Sequence, residues 1–145
     1  MLYYLSLGSN LGDKEQTLDI AKQLIDQQIG PITRCSSFFY SEPWGFESKH
    51  GFCNLCCVVK TGLTPLALLS ATQAIERTLG RTQKSTDGHY SDRTIDIDII
   101  RAFDENGNEK SYNFQLSNFN LTIPHPLWQE RDFVKIPLAE IEQKK

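Results

Sequence analysis

Two amphipathic helical stretches set among β-rich runs, in the order strand–helix–strand–strand–helix–strand, predict an α+β fold for this 145-residue chain. Three observations carry that expectation. Leu18, Ala21, Ile25 and Ile29 recur at helical spacing, and Leu66, Leu69, Ile75 and Leu79 do so again further on. Residues 2–7, 32–40 and 52–60 are rich in aromatic and β-branched side chains, which suit a pleated, half-buried surface. Residues 93–100 alternate Ile and Asp with period two, as a strand with one buried face does.

Each element has its own boundary signal. The first strand runs into Gly8-Ser9-Asn10-Leu11-Gly12-Asp13, a turn in which Asp13 can cap the first helix, about 14–28. Gly30-Pro31 stops that helix. Pro43, Trp44, Gly45, Phe46 and Gly51 break up residues 41–51, so this is a loop; its Trp and Phe are either tucked against the core or offered to a ligand. The third strand carries Asn54, a residue that is unfavourable in strands and needs partners if buried. Thr64-Pro65 is an N-cap followed by Pro at the first helical position, and Gly80 ends the second helix. Residues 81–92 form a long polar loop, a length that is usually functional or mobile. Asn106-Gly107 marks a hairpin, residues 111–122 hold one or two further strands, and a helix-like turn after Pro124-His125-Pro126 runs to Arg131. Little room remains after Leu138 for another large element. The order is that of a ferredoxin-like βαββαβ sandwich with a C-terminal hairpin and short helix, read as one domain over 1–145.

Bulk properties exclude several functions. With 39% hydrophobic and 23% charged residues the chain reads as soluble and globular. A net charge of −3 argues against a general nucleic-acid partner. No apolar run is long enough to span a bilayer, and residues 1–7 lack the basic start of a signal peptide, so a cytoplasmic location with no membrane partner is expected. Cys53-x-x-Cys56 has a redox or zinc spacing, but it falls inside a strand without a second Cys or His pair. Cys53, Cys56 and Cys57 therefore read as packing residues.

The chemistry concentrates on 93–100. Asp96 and Asp98 project from one face of a strand, about 6–7 Å apart, with Ile95, Ile97 and Ile99 on the other. They could be two solvated carboxylates on a wet face. Asp is a poor strand former, however, and Arg93 and Arg81 bracket the loop that leads into this strand. Carboxylates beside arginines suggest a hard divalent cation and a polyphosphate held between metal and guanidinium. Gln73 and Glu76 share a side of the second helix, a pattern that by itself reads as a solvated stripe. The phosphate-loop, dinucleotide-fold and nucleophile-elbow motifs are all absent.

Taken in order, Gly8-Ser9-Asn10-Leu11-Gly12, Phe52-x-Asn54, Gln73-x-x-Glu76-x-x-x-Gly80-Arg81, Arg93-Thr94-Ile95-Asp96-Ile97-Asp98-Ile99 and Pro124-His125-Pro126-x-x-x-x-Arg131-x-Phe133 resemble the 6-hydroxymethyl-7,8-dihydropterin pyrophosphokinase family over nearly the whole chain. The resemblance implies transfer of pyrophosphate from ATP to the hydroxymethyl group of a reduced pterin, in folate biosynthesis. It implies two Mg²⁺ ions on Asp96 and Asp98, and catalytic roles on the phosphates for Arg81 and Arg93. It implies a pterin stacked between Phe52 and Phe133, read by Asn54, with backbone contacts from Pro43, Trp44 and Gly45. Gln73, Glu76, Arg81, Tyr90, Arg93, His125 and Arg131 would line the ATP side. Whether the chain contacts neighbouring folate-pathway enzymes is not fixed by the resemblance. No general base is assigned.

The chain departs from the family pattern before the Asp strand. Arg81-Thr82-Gln83 lacks a second arginine, Tyr90 stands where Trp is usual, and a Gly-Pro pair is missing before Arg93. Weaker closure of this loop over the substrates is therefore expected. Two rival readings fit less well. A non-catalytic ferredoxin-like binding module would not need two carboxylates beside two arginines. In a metal-dependent nucleotidyltransferase, Gly-Ser and Asp-x-Asp lie close in sequence, whereas here two helices and two strands intervene.

Overall fold

Asp13 and Thr64 do what their positions predict. The Asp13 carboxylate accepts from the Gln16 N–H and the Thr64 hydroxyl from the Ala67 N–H, which satisfies first-turn donors and starts two helices. The computed structural model describes residues 1–10, 12–41, 51–80, 95–115, 117 and 120–143. In chain order these form β1 (Leu2–Ser9), α1 (Lys14–Gln28), β2 (Ile32–Cys35), β3 (Phe39–Ser41), β4 (Phe52–Lys60), α2 (Pro65–Thr78), β5 (Asp96–Phe103), β6 (Glu109–Lys110), β7 (Tyr112–Gln115) and β8 (Asn120–Ile123). A 3-10 turn (Trp128–Glu130) and α3 (Asp132–Gln143) follow. The fold is α+β: an antiparallel sheet in the order β2-β4-β1-β5-β6, with β3 also paired to β4, a separate β7–β8 hairpin and three helices.

The period-two pattern divides the sheet into two faces. Tyr3, Leu5 and Leu7 of β1, Leu55, Cys57 and Val59 of β4, and Ile97 and Ile99 of β5 pack with Leu18, Ala21 and Ile25 of α1 and Leu68 and Ile75 of α2. Burying an aliphatic side chain of this size stabilises the fold by about 1.5–3 kcal/mol. On the opposite face Cys56, Val58 and Ile100 pack against Val134, Leu138 and Ile141 of α3. β1 is central, paired to β4 on one side and β5 on the other. Its register with β5 shifts between Tyr4 and Leu5, where Arg101 and Ile99 are the facing residues and Ile100 is extra. Such a bulge re-aims the side chains beyond it. Ile100 and Arg101 thus both look toward α3, while Ala102 returns to the α1–α2 core.

Several expectations need correction. The strand expected over 32–40 is two short ones, with Ser36 between them; its hydroxyl accepts from the Cys56 N–H and replaces part of the ladder. The turn expected from Gly8 begins later, because β1 continues through Ser9. In α2 the fully buried leucine is Leu68, and Leu66 and Leu69 only flank the core. The largest correction is at the C-terminus. Residues 132–143 form a twelve-residue helix with Pro137 inside it, where a short helix-like turn to Arg131 and little beyond Leu138 were expected. An interior Pro removes one helical hydrogen bond and costs about 3 kcal/mol. Burial of Val134, Leu138 and Ile141 offsets that loss. Arg34 donates to the Ile141 carbonyl, and Glu140 accepts from the Ser37 N–H and hydroxyl, which fastens the far end of α3.

Candidate active site

α3 covers only part of its face of the sheet. Beyond the Ile100 end the same face continues as three neighbouring strands whose residues lie in register. Gly8 of β1 pairs with Asn54 on one side and Asp96 on the other, and Ser6 pairs with Cys56 and Asp98. Strands lie about 4.8 Å apart, so Asn54 and Asp96 stand about 10 Å apart across Gly8.

Gly8 has a specific reason to be glycine. A Cβ there would sit 2.4 Å from Nδ2 of Asn54, which lies across β1 in the space a side chain would take. Asn54 is only 4% exposed, and among the described residues its Oδ1 has no hydrogen-bond partner. A buried amide acceptor left without a partner loses about 1–3 kcal/mol, a loss that a ligand donor would remove. Phe52, two residues back on the same face, is half-buried beside it.

On the β5 side the carboxylates are crowded. Asp98 is half-buried, and its carboxyl is held well above the usual carboxylate range. Burial is the main cause, followed by the charge of Asp96 and a hydrogen bond with it, then Glu76; Arg131 opposes them weakly. Glu76 was expected on a polar stripe with Gln73. Instead it is buried, and its Oε2 accepts from the Ile97 N–H at 2.8 Å, while Gln73 is exposed. The cause is sheet topology: among the described residues β5 has no strand partner beside the aspartates on the side away from β1, and the Ile97 amide between them finds its acceptor in Glu76.

The 3-10 turn and its flanks supply the basic side. The His125 N–H donates to the Ile100 carbonyl at 2.8 Å, and its Nδ1 accepts from the Leu127 N–H at 3.2 Å. Burial, then the nearby Arg131 cation, push the imidazole below its ordinary pKa, against a smaller pull from Asp96. The ring is thus neutral at pH 7, with Nδ1 occupied as an acceptor and the proton on Nε2. The Arg131 guanidinium lies 5.8 Å from the Phe133 ring centroid, a cation–π contact in the first turn of α3.

Asp96, Asp98, Glu76, His125, Arg131 and Phe133 therefore gather at one end of the sheet, with Phe52 and Asn54 across Gly8. Pro43, Trp44, Gly45, Arg81, Tyr90 and Arg93, together with the loop expected to close, lie outside the described residues. Among the described residues no three His, Cys, Asp or Glu side chains converge as a metal cage. Cys53 packs on the α1–α2 face and Cys56 on the α3 face, so the two thiols of Cys53-x-x-Cys56 point to opposite sides of β4. Burial pushes Cys53 up to about 11 and Cys56 up to about 12, which leaves both as inert thiols at neutral pH. Sequence reasoning missed Gly8 as a residue of this end of the sheet, although it opens the Gly-Ser-Asn run.

Comparison with known proteins agrees with this geometry. The family model described as 7,8-dihydro-6-hydroxymethylpterin-pyrophosphokinase matches residues 4–143. A 2-amino-4-hydroxy-6-hydroxymethyldihydropteridine pyrophosphokinase of Porphyromonas gingivalis is 44% identical over 140 residues, covering 97% of this chain and 90% of the relative. The Bacillus subtilis protein of that name is 39% identical over 142 residues, covering 97% of this chain and 78% of its own length. The Dictyostelium discoideum folic acid synthesis protein FOL1 is 37% identical over 142 residues, again 97% of this chain but 19% of that longer protein. The match runs through β1, β4, β5 and α3, the elements that bring Gly8, Asn54, the aspartate pair and Arg131 to one end of the sheet, and with it the chain belongs to the 7,8-dihydro-6-hydroxymethylpterin-pyrophosphokinase family.

Proposed function

We propose that this chain transfers pyrophosphate from ATP to the hydroxymethyl group of 6-hydroxymethyl-7,8-dihydropterin, releasing AMP and the pterin diphosphate, as a step of tetrahydrofolate biosynthesis. The single observation that carries the reading at the level of the site is the row Asn54–Gly8–Asp96. It puts a buried, unsatisfied amide about 10 Å from a carboxylate pair on one rigid floor.

In this reading the pterin lies over Gly8, with its polar edge on Asn54, whose amide offers both a donor and an acceptor. Phe52 and Phe133 stack on its faces. Pro43, Trp44 and Gly45 add backbone contacts. Gln73, Glu76, Tyr90, His125 and Arg131 line the nucleotide side. There His125 offers its Nε2–H to a phosphate or ribose oxygen, and Arg131 offers a fork of donors. Arg81 and Arg93 act on the phosphates.

Asp96 and Asp98 would hold Mg²⁺, two ions by our reading. The fit rests on the chemistry of the pair: oxygen-only donors, side by side, with burial and the neighbouring carboxylates raising the Asp98 pKa, a charge conflict that a bound cation would relieve. With only two carboxylates, the remaining ligands would be water and phosphate oxygens, as Mg²⁺ prefers. When bound, the metal neutralises charge that develops on the β- and α-phosphates. The rest of the reaction needs positioning. The hydroxymethyl oxygen attacks the β-phosphorus in line, the bond from that phosphorus to the α–β bridging oxygen breaks, AMP leaves with the bonding pair, and the hydroxyl proton is lost.

The order β1-α1-β2/β3-β4-α2-β5 with the sheet order β5-β1-β4-β2 supports a ferredoxin-like sandwich, and we read residues 1–145 as one pyrophosphokinase domain. Four free cysteines suit a reducing compartment and support a cytoplasmic location, where contact with other folate-pathway enzymes would be available. No described helix is long and apolar enough to cross a membrane.

The test is product analysis by chromatography with ATP, Mg²⁺ and 6-hydroxymethyl-7,8-dihydropterin, each omitted in turn. AMP should appear in step with the pterin diphosphate, and only when all three are present. Release of free pyrophosphate, or no AMP in the full mixture, would overturn the reading.

A further inference from the structure

Arg101 is engaged by two carboxylates and three aromatic rings, and nothing in the proposed chemistry uses it. Its Nε and Nη2 donate to the two oxygens of Glu109, each at 3.0 Å, while Nη1 pairs with Glu142 near the end of α3. The guanidinium carbon lies 4.9 Å from the Phe103 ring centroid, 5.3 Å from that of Trp128 and 5.9 Å from that of Tyr4. One side chain thus joins β1, β5, β6, the 3-10 turn and α3. It reaches this position because of the bulge at Ile100. Without the extra residue, Arg101 would point into the apolar α1–α2 core.

Trp128 is the informative contact. It sits midway between His125 and Arg131, the two basic residues beside the aspartates. The segment from 124 to 131 is tied to β5 at two adjacent positions, by the His125 N–H on the Ile100 carbonyl and by the Trp128 ring on Arg101. The pterin side is held differently: Phe52 and Asn54 sit on β4, and Phe133 lies in α3, whose Val134, Leu138 and Ile141 pack against Cys56, Val58 and Ile100 of the sheet. We propose that Arg101 is a positioning residue for the nucleotide side of the site. By clamping Trp128 it sets His125 and Arg131 against the Asp96–Asp98 pair, while the pterin side is held independently. The inference rests on the reading that His125 and Arg131 face ATP.

The test compares Arg101→Met with the wild type in two arms. The first is amide hydrogen exchange of the free protein. His125 should lose at least about tenfold protection while Cys56 and Val58 in β4 keep theirs; unchanged protection at His125 would overturn the proposal. The second arm measures binding of a non-hydrolysable ATP analogue with Mg²⁺ and, separately, of the pterin. Nucleotide affinity should fall about fivefold or more and pterin affinity by less than twofold. Trp128→Ala should reproduce this, the double variant should add little, and Arg101→Lys should recover only part, because an ammonium lacks the planar fork. Lower thermal stability with unchanged nucleotide affinity, or equal loss of both ligands, would overturn the inference. Should the wild type bind no nucleotide, the proposed activity falls, and the exchange arm still decides whether Arg101 places the turn.

Discussion

The two ends of β5 carry opposite charge and opposite kinds of environment. At the Arg101 end the cation meets two carboxylates and three aromatic rings, so nearly every part of it is engaged within the fold. At the Asp98 end, five residues or fewer away on the same face, carboxylates crowd one another, and among the described residues the Arg131 guanidinium opposes them less than burial and Asp96 raise the Asp98 pKa. Charge that is satisfied inside the fold holds elements together. Charge that the fold leaves in mutual repulsion waits for a ligand, and proteins keep such arrangements where they need to bind. The bulge at Ile100 is the border between the two regimes.

The largest test of that contrast is Asp98→Ala, which should lower kcat by about 10³-fold or more, roughly 4 kcal/mol, chiefly through loss of metal. Near-wild-type kcat in this variant would end the assignment. The contrast sharpens if Asp98→Asn, equally inactive, makes the free protein more stable by about 0.5–2 kcal/mol in urea denaturation, since it removes repulsion. Gly8→Ala should weaken pterin binding about 10–100-fold, ~1.4–2.8 kcal/mol, by pushing Asn54 aside, and leave nucleotide binding unaltered. Equal effects on the two ligands, read by calorimetry, would mean that the floor is not divided as drawn. Leu138→Ala should cost about 2–5 kcal/mol of stability, the value for a core leucine; a loss below about 1 kcal/mol would show that α3 is only an appendage.

The smallest effects are in pH dependence, and the two ends should differ in sign. The folded pKa of Asp98 is raised, so native protein binds its proton more tightly than unfolded chain does. Its contribution is full below the ordinary Asp value of about 3.9 and is lost as pH rises through the folded pKa. Mg²⁺ should restore that loss. Glu109 has a lowered folded pKa, mainly because Arg101 hydrogen-bonds its carboxylate. Its contribution, within about 1 kcal/mol for a partly exposed pair, is present above about 4.3 and disappears as pH falls through the lower folded value. Urea titrations of Asp98→Asn and Glu109→Gln across pH 3–7 separate the two. Parallel curves for both variants would remove the contrast.

Local signals were legible wherever one residue type does one job. Asp13 and Thr64-Pro65 announce helix starts, Asn106-Gly107 announces the hairpin, and the Ile-Asp alternation announces both the strand and its acidic face. Other features were hidden because their cause lies elsewhere in the chain. Glu76 looked like surface, yet the Ile97 amide on β5 draws it into burial. Residues 133–138 hold two β-branched residues, an aromatic and a proline, and look unlike a helix. They become one because Cys56, Val58 and Ile100 present an apolar face for Val134, Leu138 and Ile141 to cover.

By itself, then, the sequence determined the first two helices and the long strands around them, the acidic pair on one face of β5 and, through ordered motifs across nearly the whole chain, the family. Those depend on periodicity and on short-range spacing, which a linear string records. Only the tertiary structure decided that Asn54 lies across Gly8, that Glu76 is buried, that a third helix closes part of the second face, and that a bulge turns Arg101 toward Trp128. Each of these is a contact between residues distant in the chain. Its energy comes from register and burial, which exist only once the strands have paired.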